Sequence, residues 1–382
     1  MNAAHRIKIG FIPLADAASL FVAVDKGFAA QEGLDVELVR EVSWSNTRDR
    51  LAIGHYDAAH LLAPMAVAST LGLSHVRAPV VAAMNLAING NAITVSPDLH
   101  ASLVAVADGD LTDPSASARA LKTVISWREK RHAEPLTFGM TFPFSTHNYQ
   151  LRYWMAEGGV DPDRDLRLVV LPPPYMVENL AKRHVDGFCV GAPWNAAAEG
   201  MGVGVILHPG PAIFHPAPEK TLAIRQEIAE SEPALVEALV RACLKAVEYV
   251  RAPENREEVA ALLARPDRVG ADIQSLRRTL DGRLPNIVDE TADDLIFGDR
   301  ISGRPDAYQS AWLYAQMVRW GQADRSVEAL RVAESVFNPA FFDAATTAAP
   351  VKAAPIVAFS GSPFDARDID AYLSSFSIRA TR

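Results

Sequence analysis

Apolar and polar residues alternate over RIKIGFI, residues 6–12, the two-residue period of a strand with one buried face. The stretch DAASLFVAVDKGFAAQEG then predicts a helix ending at Gly33, and LDVELVR predicts a second strand. A helix is expected near 46–54 with Gly54 as its stop, and YDAAHLLAP returns to a strand. This β-α-β-α-β order implies parallel strands joined by crossover helices.

The order recurs with different residues. LTFGMTF (136–142) predicts a strand, THNYQLRYWMAEGG a helix closed by glycines and LRLVVLP a strand. PYMVENLAKRH predicts a further helix and VDGFCVGAP a further strand. The two blocks end alike: HYDAAHLLAP and HVDGFCVGAPW share His-x-Asp-Ala/Gly, with a proline seven positions after each aspartate (Asp57 to Pro64, Asp186 to Pro193). Two similar α/β lobes facing each other are the simplest account. The first part of lobe I is assigned to 1–97, lobe II to 98–211, and a return to lobe I with C-terminal helices to 212–344. Residues 345–382 are expected to form a surface-running tail, rich at first in alanine, proline and serine. A chain that crosses twice between lobes forms a hinge, and the cleft at a hinge is a natural ligand site.

The chain has 382 residues, 49% hydrophobic and 22% charged, with a formal net charge of -9. Such a charge argues against broad attraction to nucleic acid or acidic membrane, so an anionic ligand would have to be captured by local groups. The N-terminus has no basic stretch followed by an unbroken apolar core, and no run of about 18 apolar residues occurs, so a cytoplasmic location without a membrane span is expected. Cys189 and Cys243 read as buried small apolar residues.

Signatures of catalysis are missing. There is no G-x-S-x-G, Walker loop, H-E-x-x-H or paired C-x-x-C, and His55 and His60, five apart across a strand boundary, are a poor metal pair. The helix starts offer more. Ser45 or Asn46 can cap the first, with Asn46 and Asp49 spaced like a capping box, and Ser145 or Thr146 can cap the second, leaving His147 in its first turn. Free N–H groups and the positive dipole end make such places receptive to anions, although capping alone is common. Trp44, just before the first cap, suits either a ligand or a core. Gly191 lets a ligand approach the backbone or merely serves the turn before Pro193, and Lys220, where the proline-rich return re-enters the first lobe, reads as a solvated surface charge ahead of a cleft residue.

FIPLADAASLFVAVDKGF, EVSWSNTRDRLAIGHYDAAHLLAPM, NLAINGNAITVS, THNYQLRYWMAEGG, CVGAPWN and YAQMVRWGQ, in this order, resemble the nitrate-binding NrtA/CmpA-like family of solute-binding proteins, over about residues 6–340. The resemblance implies a type II periplasmic-binding-protein fold: two α/β lobes joined by a hinge, closing over a small anion. Taken position by position, it puts the family's nitrate contacts on Trp44, His147, Gly191 and Lys220. Asn91 stands where nitrate-transport relatives carry glutamine, so its reach differs. Bicarbonate-binding relatives resemble one another in having an acidic residue with a metal at the Lys220 position, so a lysine there implies a bare monovalent anion, with no metal or cofactor. Nitrate is planar, so an indole face can stack on it while donors serve its edge. Its four heavy atoms limit affinity to roughly -6 kcal/mol, a dissociation constant on the order of tens of micromolar.

Within the family, the expected cytoplasmic location implies likeness to the NasS-type nitrate/nitrite sensor rather than to an enzyme. Its implied partner is a NasT-type RNA-binding antiterminator of the ANTAR class, sequestered without ligand and released with it, so the sensor itself would touch neither nucleic acid nor membrane. Two alternatives remain: the substrate-binding component of a nitrate ABC transporter, and a pyrimidine-precursor-type enzyme of the same superfamily, which would need a reactive-histidine cluster that the sequence does not display.

Overall fold

The computed structural model describes residues 5–73, 76–282, 294–346 and 349–378. Residues 1–4 and 74–75 of the first lobe I segment, 283–293 of the return segment, and 347–348 and 379–382 of the tail lie outside the described residues. Thirteen strands are described: β1 (His5–Phe11), β2 (Leu34–Arg40), β3 (Ala58–Leu62), β4 (Val80–Asn89), β5 (Asn91–Val95), β6 (Thr137–Met140), β7 (Arg167–Val170), β8 (Gly187–Gly191), β9 (Val205–Pro209), β10 (Phe214–His215), β11 (Pro218–Arg225), β12 (Leu295–Phe297) and β13 (Val357–Ala358). They form a six-stranded sheet in the order β12-β4-β11-β3-β1-β2, a five-stranded sheet in the order β7-β6-β8-β5-β9, and the pair β10-β13. In both large sheets the first strand of the βαβ block pairs in parallel with the next two strands, and an antiparallel strand follows. This is the two-lobed arrangement with an intervening cleft that the alternating pattern and the resemblance imply.

The matching ends of the two blocks have a shared structural cause. The Asp57 carboxylate accepts the backbone N–H of Lys8 at 2.8 Å, and the Asp186 carboxylate accepts that of Thr137 at 2.8 Å, each across 49 positions. The backbone N–H of each aspartate donates to the carbonyl of the same residue that its side chain holds, at 2.9 and 2.7 Å. The spacing shared by the two lobes therefore ties the first strand of each to the start of its third. A charged acceptor is the stronger kind for such a backbone bond.

The chain leaves lobe I at Asn89–Gly90, earlier than the expected boundary at 97, because β5 pairs with β8 and β9 rather than with β4. Asn89 and Gly90 both have positive φ, 58° and 92°, the backbone that asparagine tolerates and glycine adopts freely, and this lets one extended segment pass between sheets. The return follows Pro209, and β11 then inserts between β3 and β4. Helix Pro233–Arg251 buries Val236, Leu239, Val240, Cys243 and Val247 against the N-terminal helices of lobe I.

Three local expectations are corrected. The helix expected over 16–33 is broken by Gly27, whose positive φ of 74° separates Ala18–Asp25 from Phe28–Gln31. The first cap is Ser43, whose hydroxyl accepts the Asn46 N–H, and not Ser45 or Asn46, so Trp44 opens helix Trp44–Ala52. The surface-running tail is the third: although 349–355 is largely exposed, Ile356, Phe364, Ile369, Tyr372, Leu373 and Phe376 are buried against Tyr153, Tyr308 and Trp312. Gln316 donates to the Tyr372 hydroxyl at 2.9 Å, and the Arg319 guanidinium lies over the Tyr153, Trp320 and Phe376 rings. Aromatic and aliphatic anchors thus fasten this segment despite its alanine- and proline-rich lead.

Candidate functional site

The C-terminal ends of the parallel strands in both lobes point toward the cleft, and the helices that follow them begin there. Ser43 and Ser145 have nearly the same extended backbone, and their hydroxyls cap helices Trp44–Ala52 and Thr146–Glu157, accepting from Asn46 and Asn148 at 3.3 and 3.1 Å. The caps satisfy one orphan N–H each and place Trp44 in lobe I and His147 in lobe II at the first turns. The lobes touch around this point. Trp194 donates its indole N–H to the Pro13 carbonyl at 3.1 Å, the Thr146 hydroxyl donates to the Pro218 carbonyl at 3.2 Å, and the Ala15 N–H donates to the Ala192 carbonyl at 2.9 Å.

All five residues expected from the sequence converge here. The Lys220 ammonium, fully buried on β11, lies 5.7 Å from the Trp44 ring centroid. It is gripped by two carboxylates that the sequence reading missed, Glu219 Oε1 at 2.8 Å and Asp16 Oδ2 at 2.9 Å. The other oxygen of Asp16 meets His60 Nε2 at 2.8 Å, and the His60 ring packs at 5.7 Å against the Trp44 indole. Asn91 Nδ2 donates to Glu219 Oε2 at 2.6 Å and to Gln150 Oε1 at 3.2 Å. His147 Nδ1 stands 3.1 Å from the Thr141 hydroxyl and 3.4 Å from Glu219 Oε1. Gly191 faces the same cluster, since a Cβ there would stand 3.5 Å from Asn91 Oδ1 and 3.6 Å from Asp16 Oδ2.

Burial alone would raise the Asp16 carboxyl, but the Lys220 charge, with His60, more than reverses this and holds it down to about 2. Burial likewise works against the Lys220 ammonium, and Asp16 and Glu219 outweigh it, raising its pKa above the ordinary lysine value. His147 is pushed down to about 4, chiefly by burial and further by Lys220, against the pull of Glu219 and Asp16. It is therefore a neutral imidazole at pH 7. Cys189, whose thiol touches Gln150, is raised by burial, so neither it nor the protonated lysine is an activated nucleophile.

Four buried polar atoms of this cluster have no hydrogen-bond partner among the described residues: Trp44 Nε1, His60 Nδ1, Asn91 Oδ1 and His147 Nε2. Unpaired buried groups are rare in native proteins, and four in one cluster identify a place built to receive polar atoms. Among the described residues no group of three or more His, Cys, Asp or Glu side chains could hold a metal ion.

The signal for Asp16 was present in the sequence. It is the one charged residue between Ile9 and Val24, an otherwise apolar stretch bound for a core. Glu219 could have been read with Lys220 as a charged pair inside a strand. His60, expected only as half of a poor metal pair, is part of the cluster.

A family model described as NMT1-like matches residues 2–264. The nitrate/nitrite binding protein NrtA of Nostoc sp. is 32% identical over 98% of this chain and 86% of its own length. The bicarbonate transport ATP-binding protein CmpC of Synechocystis sp. is 35% identical over 96% of this chain, which spans about half of that relative, 54% of its length. Among solved structures, the periplasmic nitrate-binding protein NrtA from Synechocystis superposes with a TM-score of 0.87 at 28% identity, covering 98% of this chain and 99% of that one.

Proposed function

The chain belongs to the NMT1-like family, among its NrtA/CmpA-like nitrate-binding members, and from that premise we propose that it binds nitrate or nitrite between its lobes as the substrate-binding component of an import system. The observation that carries this reading is the buried Lys220, beside the Trp44 ring and opposite His147, at the point where both lobes meet. A planar anion against the indole face would find the Lys220 ammonium, the free His147 ring nitrogen and the Gly191 backbone at its edge. Lobe closure follows from donors split between lobes: an anion bound by both favours the state that brings them together.

Import relatives on both the nitrate and bicarbonate sides support this role ahead of the sensor expected from the resemblance. Control of a NasT-type antiterminator in the cytoplasm is a finer proposal, and a complex of the two proteins that nitrate dissociates on a sizing column would support it. The main reading is tested by calorimetric titration with nitrate, nitrite and bicarbonate. Nitrate or nitrite should bind with a dissociation constant of tens of micromolar or tighter, helped by charge and closure beyond the roughly -1.5 kcal/mol per atom ceiling. Heat with bicarbonate alone, or with none of the three, overturns it.

A further inference from the structure

The cluster around Lys220 holds two acidic side chains, Asp16 and Glu219, to one lysine, and every side chain in it is almost completely buried. The His60 ring nitrogen is bound to Asp16, and among the described residues Lys220 and His147 are the basic groups that meet Glu219. An added anion would make three negative groups around one ammonium in a place with little water to screen them. Desolvated like charges at such range are strongly disfavoured unless a proton accompanies the newcomer.

His147 is placed to take it. The groups that face its ring are Glu219 and Lys220 of β11, Asp16 beyond β1, and the Thr141 hydroxyl beyond β6. Its Nδ1 looks onto Glu219 Oε1 at 3.4 Å and Thr141 at 3.1 Å, whereas its Nε2 is buried without a partner. A neutral imidazole carries one N–H. With that hydrogen on Nδ1 it serves Glu219 and turns a lone pair on Nε2 toward an anion; with it on Nε2 it serves the anion and turns a lone pair toward Glu219. Only the imidazolium donates on both sides.

We propose that this cluster takes up its anion together with one proton, held on His147 between the anion and Glu219, an inference that rests on the anion-binding reading above. Nitrate is then the partner that converts the ring. Without it, burial keeps His147 neutral down to about pH 4; beside it, the second N–H gains an acceptor and the ring's pKa rises. Affinity therefore increases as pH falls, over the interval between about 4 and the ring's anion-bound pKa.

Sodium nitrate titrated calorimetrically into the protein between pH 5.5 and 8.5, in two buffers of different ionisation heat, tests this. The expected result is a dissociation constant that weakens as pH rises, by up to about tenfold per unit for a one-proton uptake, and a heat that differs between buffers by close to one proton's worth. His147→Asn should bind more weakly, with the pH slope and the buffer difference lost. Glu219→Gln, which removes the acidic excess, should reduce both effects while still binding. Equal affinity at pH 6 and 8 with equal heats in both buffers overturns the proton linkage while leaving nitrate binding intact. Proton uptake that survives His147→Asn but disappears in His60→Asn overturns the assignment to His147. Absence of nitrate heat at every pH instead removes the underlying anion-binding reading.

Discussion

The two lobes are built alike and equipped differently. Each clamps its first strand with an aspartate 49 positions downstream, and each starts a cleft-side helix from a serine cap. Yet every formally charged side chain of the cluster, Asp16, Glu219 and Lys220, stands on lobe I strands or the turns beside them, whereas lobe II supplies Asn91, His147, Gln150 and the Gly191 backbone. The same frame thus carries a charged wall and a neutral donor wall. The one ammonium that an anion can pair with belongs to the first, and the short-range fit that rewards closure belongs to the second.

The largest effect should come from breaking the charged wall. Lys220→Ala leaves Asp16 and Glu219 buried without their cation, which should cost about 3–5 kcal/mol of stability by urea unfolding. It should also weaken nitrate binding at least about 30-fold by calorimetry. Retained binding would show that the charge asymmetry between lobes is incidental to capture. A smaller effect tests the likeness of the frames. Asp57→Ala and Asp186→Ala each remove one carboxylate-held backbone bond, expected to cost about 1.5–3 kcal/mol apiece and to agree within about 0.5. A strongly unequal pair would mean that one clamp is decorative. The smallest effect separates the caps. Ser43→Ala should cost about 1 kcal/mol, and Ser145→Ala more, because Ser145 is fully buried and also donates to the Phe142 carbonyl at 2.6 Å. Equal melting shifts for the two serine variants would contradict that difference.

The strands and helices of both blocks were legible because a buried face imposes a period, and the repeat of His-x-Asp made the second lobe recognisable from the first. The first crossing was not, since only Gly90 separates β4 from β5 and nothing in a hydrophobic pattern says which sheet a strand joins; the positive φ of Asn89 and Gly90 decides it. Trp44, Asn91, His147, Gly191 and Lys220 were found through the family resemblance, while composition and spacing left each of them open. Asp16 escaped because its partners lie at distant positions, His60 on β3 and Lys220 on β11, and Glu219 because a charged pair with its neighbour Lys220 reads as solvated surface until the burial of β11 is seen. The C-terminal segment misled for the opposite reason. Its anchors, from Ile356 to Phe376, are irregularly spaced and sit among residues typical of exposed chain.

The crossing at Asn89–Gly90 also bears on how the polypeptide comes to be folded as it leaves the ribosome. Every strand of the lobe II sheet lies between Asn91 and Pro209, one unbroken stretch, so that lobe has all its strands as soon as β9 has emerged. Lobe I starts first and finishes last: β1 to β4 wait with β3 and β4 unjoined until β11 arrives from beyond residue 217 to fill the gap between them. During synthesis, at about 5–20 residues per second, the N-terminal strands therefore spend several seconds as an incomplete sheet with an open seam, and the half of the molecule made second is the half that can fold first.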